Sequence, residues 1–214
     1  MVFQQFRAHN KPRGARKTER HGIMKGPRQN RVTPFGDIIA DPARGLFMGN
    51  RGCLHNDQGR IVRVQTTNRW IICLTDFKGR KRALMRPGHY TELFFLDEAT
   101  ALAAGHRPCA ECQRARYREF LALAEKSSAE ALDHDLAADR KAARKLLTNL
   151  DLPAGSIVAD DGKALLFWGN KWHRWAPSGY VLAPPPTTSA MILTPGLTVQ
   201  VLRRGYRPVV ALST

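Results

Sequence analysis

The run Phe94-Phe95-Leu96-Asp97-Glu98-Ala99-Thr100-Ala101-Leu102-Ala103-Ala104-Gly105-His106-Arg107-Pro108-Cys109-Ala110-Glu111-Cys112 opens as a strand and closes as a pair of thiols. Phe94, Phe95 and Leu96 read as a strand end. Asp97 is a good N-cap with Glu98 in the first turn, which predicts a short helix through Ala104. Gly105 supplies the left-handed stop, and Pro108 prevents a restart before the cysteines. Cys109 and Cys112 are separated by two residues, so both thiolates can face one point from a tight turn and grip one metal ion. Redox pairs share that spacing, and its setting is what favours a metal.

This double aromatic, acid-capped helix, glycine, Arg-Pro-Cys and second Cys resemble the end of the zinc-binding domain of the Ada alkylation-repair protein, strongly over Phe94 to Cys112 and loosely over a longer span. The chain also resembles a group of proteobacterial proteins with no established activity, which carry Gly49-Asn50-Arg51-Gly52, Leu54-His55 and the same helix and hook. The resemblance implies a tetrahedral Zn2+ site with Cys109 and Cys112 as the second ligand pair. Two cysteines three residues apart form the first pair in the Ada pattern, and this sequence has no such pair. The remaining cysteines are Cys53 and Cys73, with His55 near the former. Because zinc accepts imidazole nitrogen as well as thiolate, His55, Cys73, Cys109 and Cys112 form one ligand set, and Cys53 in place of His55 forms its rival. Spacing does not choose between them; the related domains favour His55. Without the first pair, the methyl transfer of the Ada reaction does not carry over residue by residue. Zinc would still keep Cys53 or Cys73 nucleophilic. The ordinary readings are a buried strand thiol for Cys73 and a polar loop residue for His55.

The chain has 214 residues, 43% of them hydrophobic, and a formal net charge of +16. Its pI of about 10.5 points to polyanionic partners, nucleic acid first and DNA ahead of RNA. Residues 1–31 read as a disordered basic arm in which Lys11, Arg13, Arg16 and Lys17 would contact phosphates. A hairpin from Trp70 to Met85, tipped by Lys78-Gly79-Arg80, would add Lys78, Arg80, Lys81 and Arg82 as a second basic patch. A solvated tail and a charged protective strand edge are the bland alternatives.

Residues 32–150 read as the zinc-binding unit with a helical extension. Arg60 to Gln65 alternates like a half-exposed strand, Pro108 to Lys126 reads as one helix, and Ser127 or Ser128 caps another. Asp133, His134, Asp135 and Asp139 read as partners of nearby bases rather than as a site. Residues 151–214 read as a β-rich module of hairpins, closed by a helix that Thr194 caps. There Trp168, Trp172, His173, Trp175 and Tyr180 make either a base-stacking platform or a core. The expected class is α+β.

No apolar run is long enough to cross a bilayer, and Met1 to Phe6 lacks the order of a secretory signal. A cytoplasmic protein with few disulfides is expected. No Walker loop, dinucleotide-binding glycine pattern or His-Glu-x-x-His helix is present, so no small-molecule cofactor is expected. Two functions of different class follow: a nucleic-acid binder with structural zinc, or a metal-dependent nuclease or DNA alkylation-repair enzyme. For the latter, Glu111 inside the hook and Glu92 and Asp97 before it are the candidate carboxylates.

Overall fold

Asp97 does what its sequence position requires: its Oδ1 accepts the amide of Thr100 at 2.8 Å, and helix α1 (Glu98–Ala103) follows. Gly105 ends it at φ 84°, and any side chain there would strike the stem of Arg140. In the computed structural model, which describes residues 26–79, 83–186 and 189–212, this helix lies between two six-stranded sheets in an α+β fold.

The first sheet contains β1 (Gln29–Val32), β2 (Ile38–Ala40), β3 (Phe47–Asn50), β4 (Ile71–Leu74), β5 (Leu93–Phe95) and β6 (Arg107–Pro108), in the order β2-β1-β5-β3-β4-β6. Two of its pairings, β1 with β5 and β4 with β6, are parallel and join segments far apart in sequence. Its apolar face, including Phe47, Ile72, Leu93 and Phe95, packs with Leu102 of α1 and Phe120 of α2 (Arg114–Leu123). Leu132 and Leu136 of α3 (Ala129–Lys141) complete this core with Val201 and Leu202 of α4 (Gly196–Arg203) and with Tyr206.

The second sheet contains β7 (Leu146–Leu147), β8 (Ile157–Asp160), β9 (Lys163–Trp168), β10 (Lys171–Ala176), β11 (Gly179–Ala183) and β12 (Ala190–Ile192), ordered β11-β10-β9-β8-β12-β7. Its pairings are antiparallel. Asp161-Gly162 and Gly169-Asn170 make two-residue turns, all four residues at positive φ as the twist of such a hairpin demands. Ile157, Leu166 and Leu193 pack against Ala99 and Ala103, so α1 serves both cores.

Several local expectations change. β1 begins inside the segment assigned to the basic arm, whose residues 1–25 lie outside the described residues. Residues 60–65 form no strand, only a bridge between Ile61 and His55. The hairpin of β4 with residues 81–85 is replaced: β4 lies between β3 and β6, and residues 83–85 are not a strand. The helix expected from Pro108 starts at Arg114, because Pro108 is taken into β6. Ser128, as expected, caps α3 by accepting the Ala131 amide. Thr194 does not cap α4; its hydroxyl accepts the amide of Ile157 instead. Trp172 is buried, and Trp168, Trp175 and Tyr180 pack at the edge of the second core, which is the core reading of these aromatics. The indole of Trp175 donates to the Thr100 hydroxyl at 3.1 Å.

Candidate metal centre

Parallel pairing of β4 with β6 sets Ile72 opposite Pro108, so Cys73 and Cys109 leave neighbouring strands side by side. The Cys109 amide donates to the Ile72 carbonyl at 2.9 Å, extending the ladder to the hook itself. The chain then turns through Ala110 and Glu111, and Cys112 comes back to the same point. The sulfurs of Cys73, Cys109 and Cys112 all lie within 4.8 Å of one another and could hold a metal ion. A tetrahedral metal with bonds of about 2.3 Å keeps its sulfur ligands roughly 3.8 Å apart, a scale the cluster fits.

Two backbone donors face the sulfurs: the Glu111 amide lies 3.4 Å from Cys109 Sγ, and the Leu74 amide 3.4 Å from Cys112 Sγ. Such donors stabilise thiolate over thiol. The three sulfurs titrate as one system. Hydrogen bonds from Cys112 and then Cys73 hold the Cys109 thiol well below its ordinary range. Contact with Cys109 is the first cause that pushes Cys73 and Cys112 up, and burial adds to both; Cys112 also raises Cys73, whereas Cys73 lowers Cys112.

The turn is held from outside by groups that carry no sulfur. Gln113 Nε2 donates to the Ile72 carbonyl at 2.9 Å, fastening the end of the turn to β4. Arg107, 2% exposed, forms a two-pronged pair with Asp133 of α3, Nε to Oδ1 at 2.9 Å and Nη2 to Oδ2 at 2.8 Å. Its Nη1 also donates to the carbonyl of Pro108 at 3.0 Å, so this ion pair fixes the strand leading into the hook. Of the acids of α3, Asp133 pairs with Arg107 and Asp135 with Lys126 and the adjacent His134, while Asp139 accepts a backbone amide; the expected partners Arg140, Lys141, Arg144 and Lys145 form no salt bridge with them among the described residues.

His55, expected as a ligand, stands outside the group. It is 3% exposed, its Nδ1 lies 2.6 Å from Thr91 Oγ1, and its Nε2 lies 3.1 Å from the Arg86 carbonyl. Both ring nitrogens are therefore engaged in holding the loop after β3 against the segment before β5. Cys53, the rival, faces the carbonyl of His55 at 3.8 Å. Among the described residues, no fourth His, Cys, Asp or Glu joins the three cysteines.

A cavity of about 530 Å³ adjoins the cluster, walled by the cysteines, by Met48, Tyr90 and Phe94, and by the acids Glu92 and Glu111. Glu92 is buried there and its Oε2 accepts the Met85 amide at 2.7 Å. Asp97 lies elsewhere, spent on capping α1 and on the Ala211 amide. Phe77 also lines the cavity, and Lys78 places its Nζ 5.2 Å from the centre of that ring. Lys11, Arg13, Arg16, Lys17, Arg80, Lys81 and Arg82 lie outside the described residues.

Compared with models of known protein families, with curated proteins and with solved structures, the chain matches none of them. The geometry of Cys73, Cys109 and Cys112 therefore carries the functional argument by itself. Sequence reading missed Gln113, which belongs to no spacing motif, and it read Asp133 as a partner of bases without identifying Arg107 as the partner.

Proposed function

We propose that this is a zinc-stabilised nucleic-acid-binding protein, cytoplasmic and with DNA ahead of RNA as partner, in which the metal is structural. The observation that carries this reading is the convergence of three sulfurs from two distant segments, with two backbone amides aimed at them. Among divalent metals, a sulfur-rich set of this kind suits zinc, which when bound would convert all three thiols to thiolates and tie β4 to the start of α2. The chain's own residues do the rest. Arg107, Asp133 and Gln113 hold the turn, and the net charge of +16 supplies the attraction for phosphate. No described helix is long and apolar enough to cross a membrane.

One observation favours a second reading. The described residues supply three ligands rather than four, and those three border a cavity that also holds Glu92 and Glu111. A site with three protein ligands and room beside it is the pattern of catalytic zinc. The alternative is thus a metal-dependent nuclease or an alkylation-repair enzyme, the latter following the Ada resemblance of residues 94–112.

Metal content of the purified full chain, read with the Cys73→Ser, Cys109→Ser and Cys112→Ser variants, tests the shared part of both readings. One zinc per chain is expected, lost in each variant and unaffected in His55→Ala once that variant is shown to fold. Material that carries no stoichiometric metal and is indifferent to chelation overturns both. Binding to duplex and single-stranded DNA and RNA is then titrated against salt, with and without residues 1–25, which precede β1. Affinity should fall steeply with salt and drop when the arm is removed. Turnover of a nicked or alkylated DNA strand would place the enzyme reading first.

A further inference from the structure

A second cavity, of about 600 Å³, shares no lining residue with the one beside the cysteines. It opens where the loop after β3, the end of α3, the edge of the second sheet and the start of α4 meet. Arg51, Arg140, Arg144, Lys145 and Arg203 line it.

Arg51 is the unusual member. It is fully buried, yet among the described residues no carboxylate lies within salt-bridge distance of it. Its Nε donates to His106 Nε2 at 3.2 Å and its Nη1 to the Gly36 carbonyl at 2.9 Å, while its Nη2 has no hydrogen-bond partner among the described residues. His106 accepts that bond as a neutral imidazole; burial first, then Arg51 and Arg140, hold it well below its ordinary range, so it brings no charge of either sign.

Arg140 crowds the same place. Both guanidinium groups lie over the ring of Trp70, at 3.9 Å for Arg51 and 4.2 Å for Arg140. Arg140 donates to the carbonyls of Gly105 and Asn68, and Arg144 to that of Phe35, all neutral acceptors. Burial, then the neighbouring Arg140, lower Arg51 to about 9, and the repulsion from Arg140 outweighs the attraction of Asp37. Burial lowers Arg140 to about 10. Both remain cations at neutral pH.

The wall also holds acids, and most are already used. Asp139 Oδ2 accepts the Leu197 amide at 2.8 Å, and Asp151 pairs with Arg203 at 2.9 Å. That leaves Asp37, with Asp139 still charged and attracting Arg140, against Arg51, Arg140, Arg144 and Lys145. Gathering like charges in a partly dehydrated wall is costly unless a counter-charge arrives from outside.

We propose that this cavity binds a phosphate group through the cationic wall formed by Arg51, Arg140, Arg144 and Lys145. Guanidinium forks match phosphate oxygens, and the volume lies in the range of small-ligand sites. Arg144 and Lys145 are exposed at the mouth and meet the ligand first; Arg140 is half-buried, and Arg51 supplies the field behind it. The phosphate can come from a free mononucleotide or from a nucleic-acid backbone, and the two sources separate in the test.

Calorimetric titration of the full chain with inorganic phosphate, a nucleoside 5′-monophosphate and a short single-stranded oligonucleotide provides that test. It is run on the native chain, on Arg144→Gln/Lys145→Gln, and on the equal-charge control Lys171→Gln/Arg174→Gln from exposed positions of β10. Saturable binding weakened about tenfold or more by the first pair and little by the control supports the site. If the small phosphates show this pattern, the ligand is a free one; if only the oligonucleotide does, the backbone is the source. Absence of binding by all three titrants, or equal loss in both double variants, overturns the proposal.

Discussion

The two sheets are alike in strand number and opposite in construction. Strands β8 to β11 pair in chain order, each with the next, through turns of two residues. In the first sheet, β6 reaches back to β4, β5 lies between β1 and β3, and the loop after β3 carries a buried arginine and a buried histidine. The cysteine cluster and both cavities draw on the second kind of construction. Distant segments must meet to make a site, and the same long-range closure that is slow and costly to form is what brings Cys73 to Cys109.

Breaking the ion pair that locks this closure should have the largest effect. Asp133→Ala strands the Arg107 guanidinium in the interior, and chemical denaturation should show a loss of about 3–5 kcal/mol. Hydrogen exchange should locate the damage at residues 107–113, and the metal should dissociate faster. Arg107→Met/Asp133→Leu should recover most of the stability and little of the metal retention. Intact exchange protection at the hook in Asp133→Ala would mean that the pair does not position the cysteines.

A middling effect is expected where the two regions are tied together. Tyr206 donates to Glu98 Oε1 at 2.6 Å in the first core, beneath the helix that both sheets share. Tyr206→Phe should cost about 1.5–3 kcal/mol by thermal or chemical denaturation, lowering both regions together. Separate melting of the two sheets in this variant would break the view of α1 as a common member.

The smallest effect belongs to the locally built sheet. Gly162 sits at φ 71° in the turn between β8 and β9 with open space around it, so Gly162→Ala brings backbone strain and no clash. Stability should fall by about 1 kcal/mol, with metal content unchanged. A loss of metal there would show that the second sheet supports the hook more directly than its contacts indicate.

The same contrast explains what could be read beforehand. Asp97, Gly105, Ser128, Asp161-Gly162 and Gly169-Asn170 act through their immediate neighbours, so the helices they bound and the hairpins they turn were legible. The pair Cys109 and Cys112 was legible for the same reason. His55 was not, because an imidazole near a cysteine in a glycine-rich loop has the same local pattern whether it meets a metal or Thr91. The expected hairpin of residues 70–85 failed on partner choice: β4 prefers β3 and the short β6, and nothing nearby in sequence states that preference. The roles of Arg51 and Asp133 were not legible because they depend on residues distant in sequence.

Asp97 and Glu98 open the helix that leads to the cysteines, yet much of their hydrogen bonding comes from residues about a hundred positions later. The amides of Val209 and Ala211 donate to these two carboxylates, alongside Arg116 and the phenol of Tyr206. During synthesis the hook emerges about a hundred residues before those donors do, at a pace of seconds. In the interval two acids destined for the interior stay hydrated, and α1 has no settled seat. The arrangement makes the emergence of residues 206–211 the event that seats α1 between its two cores.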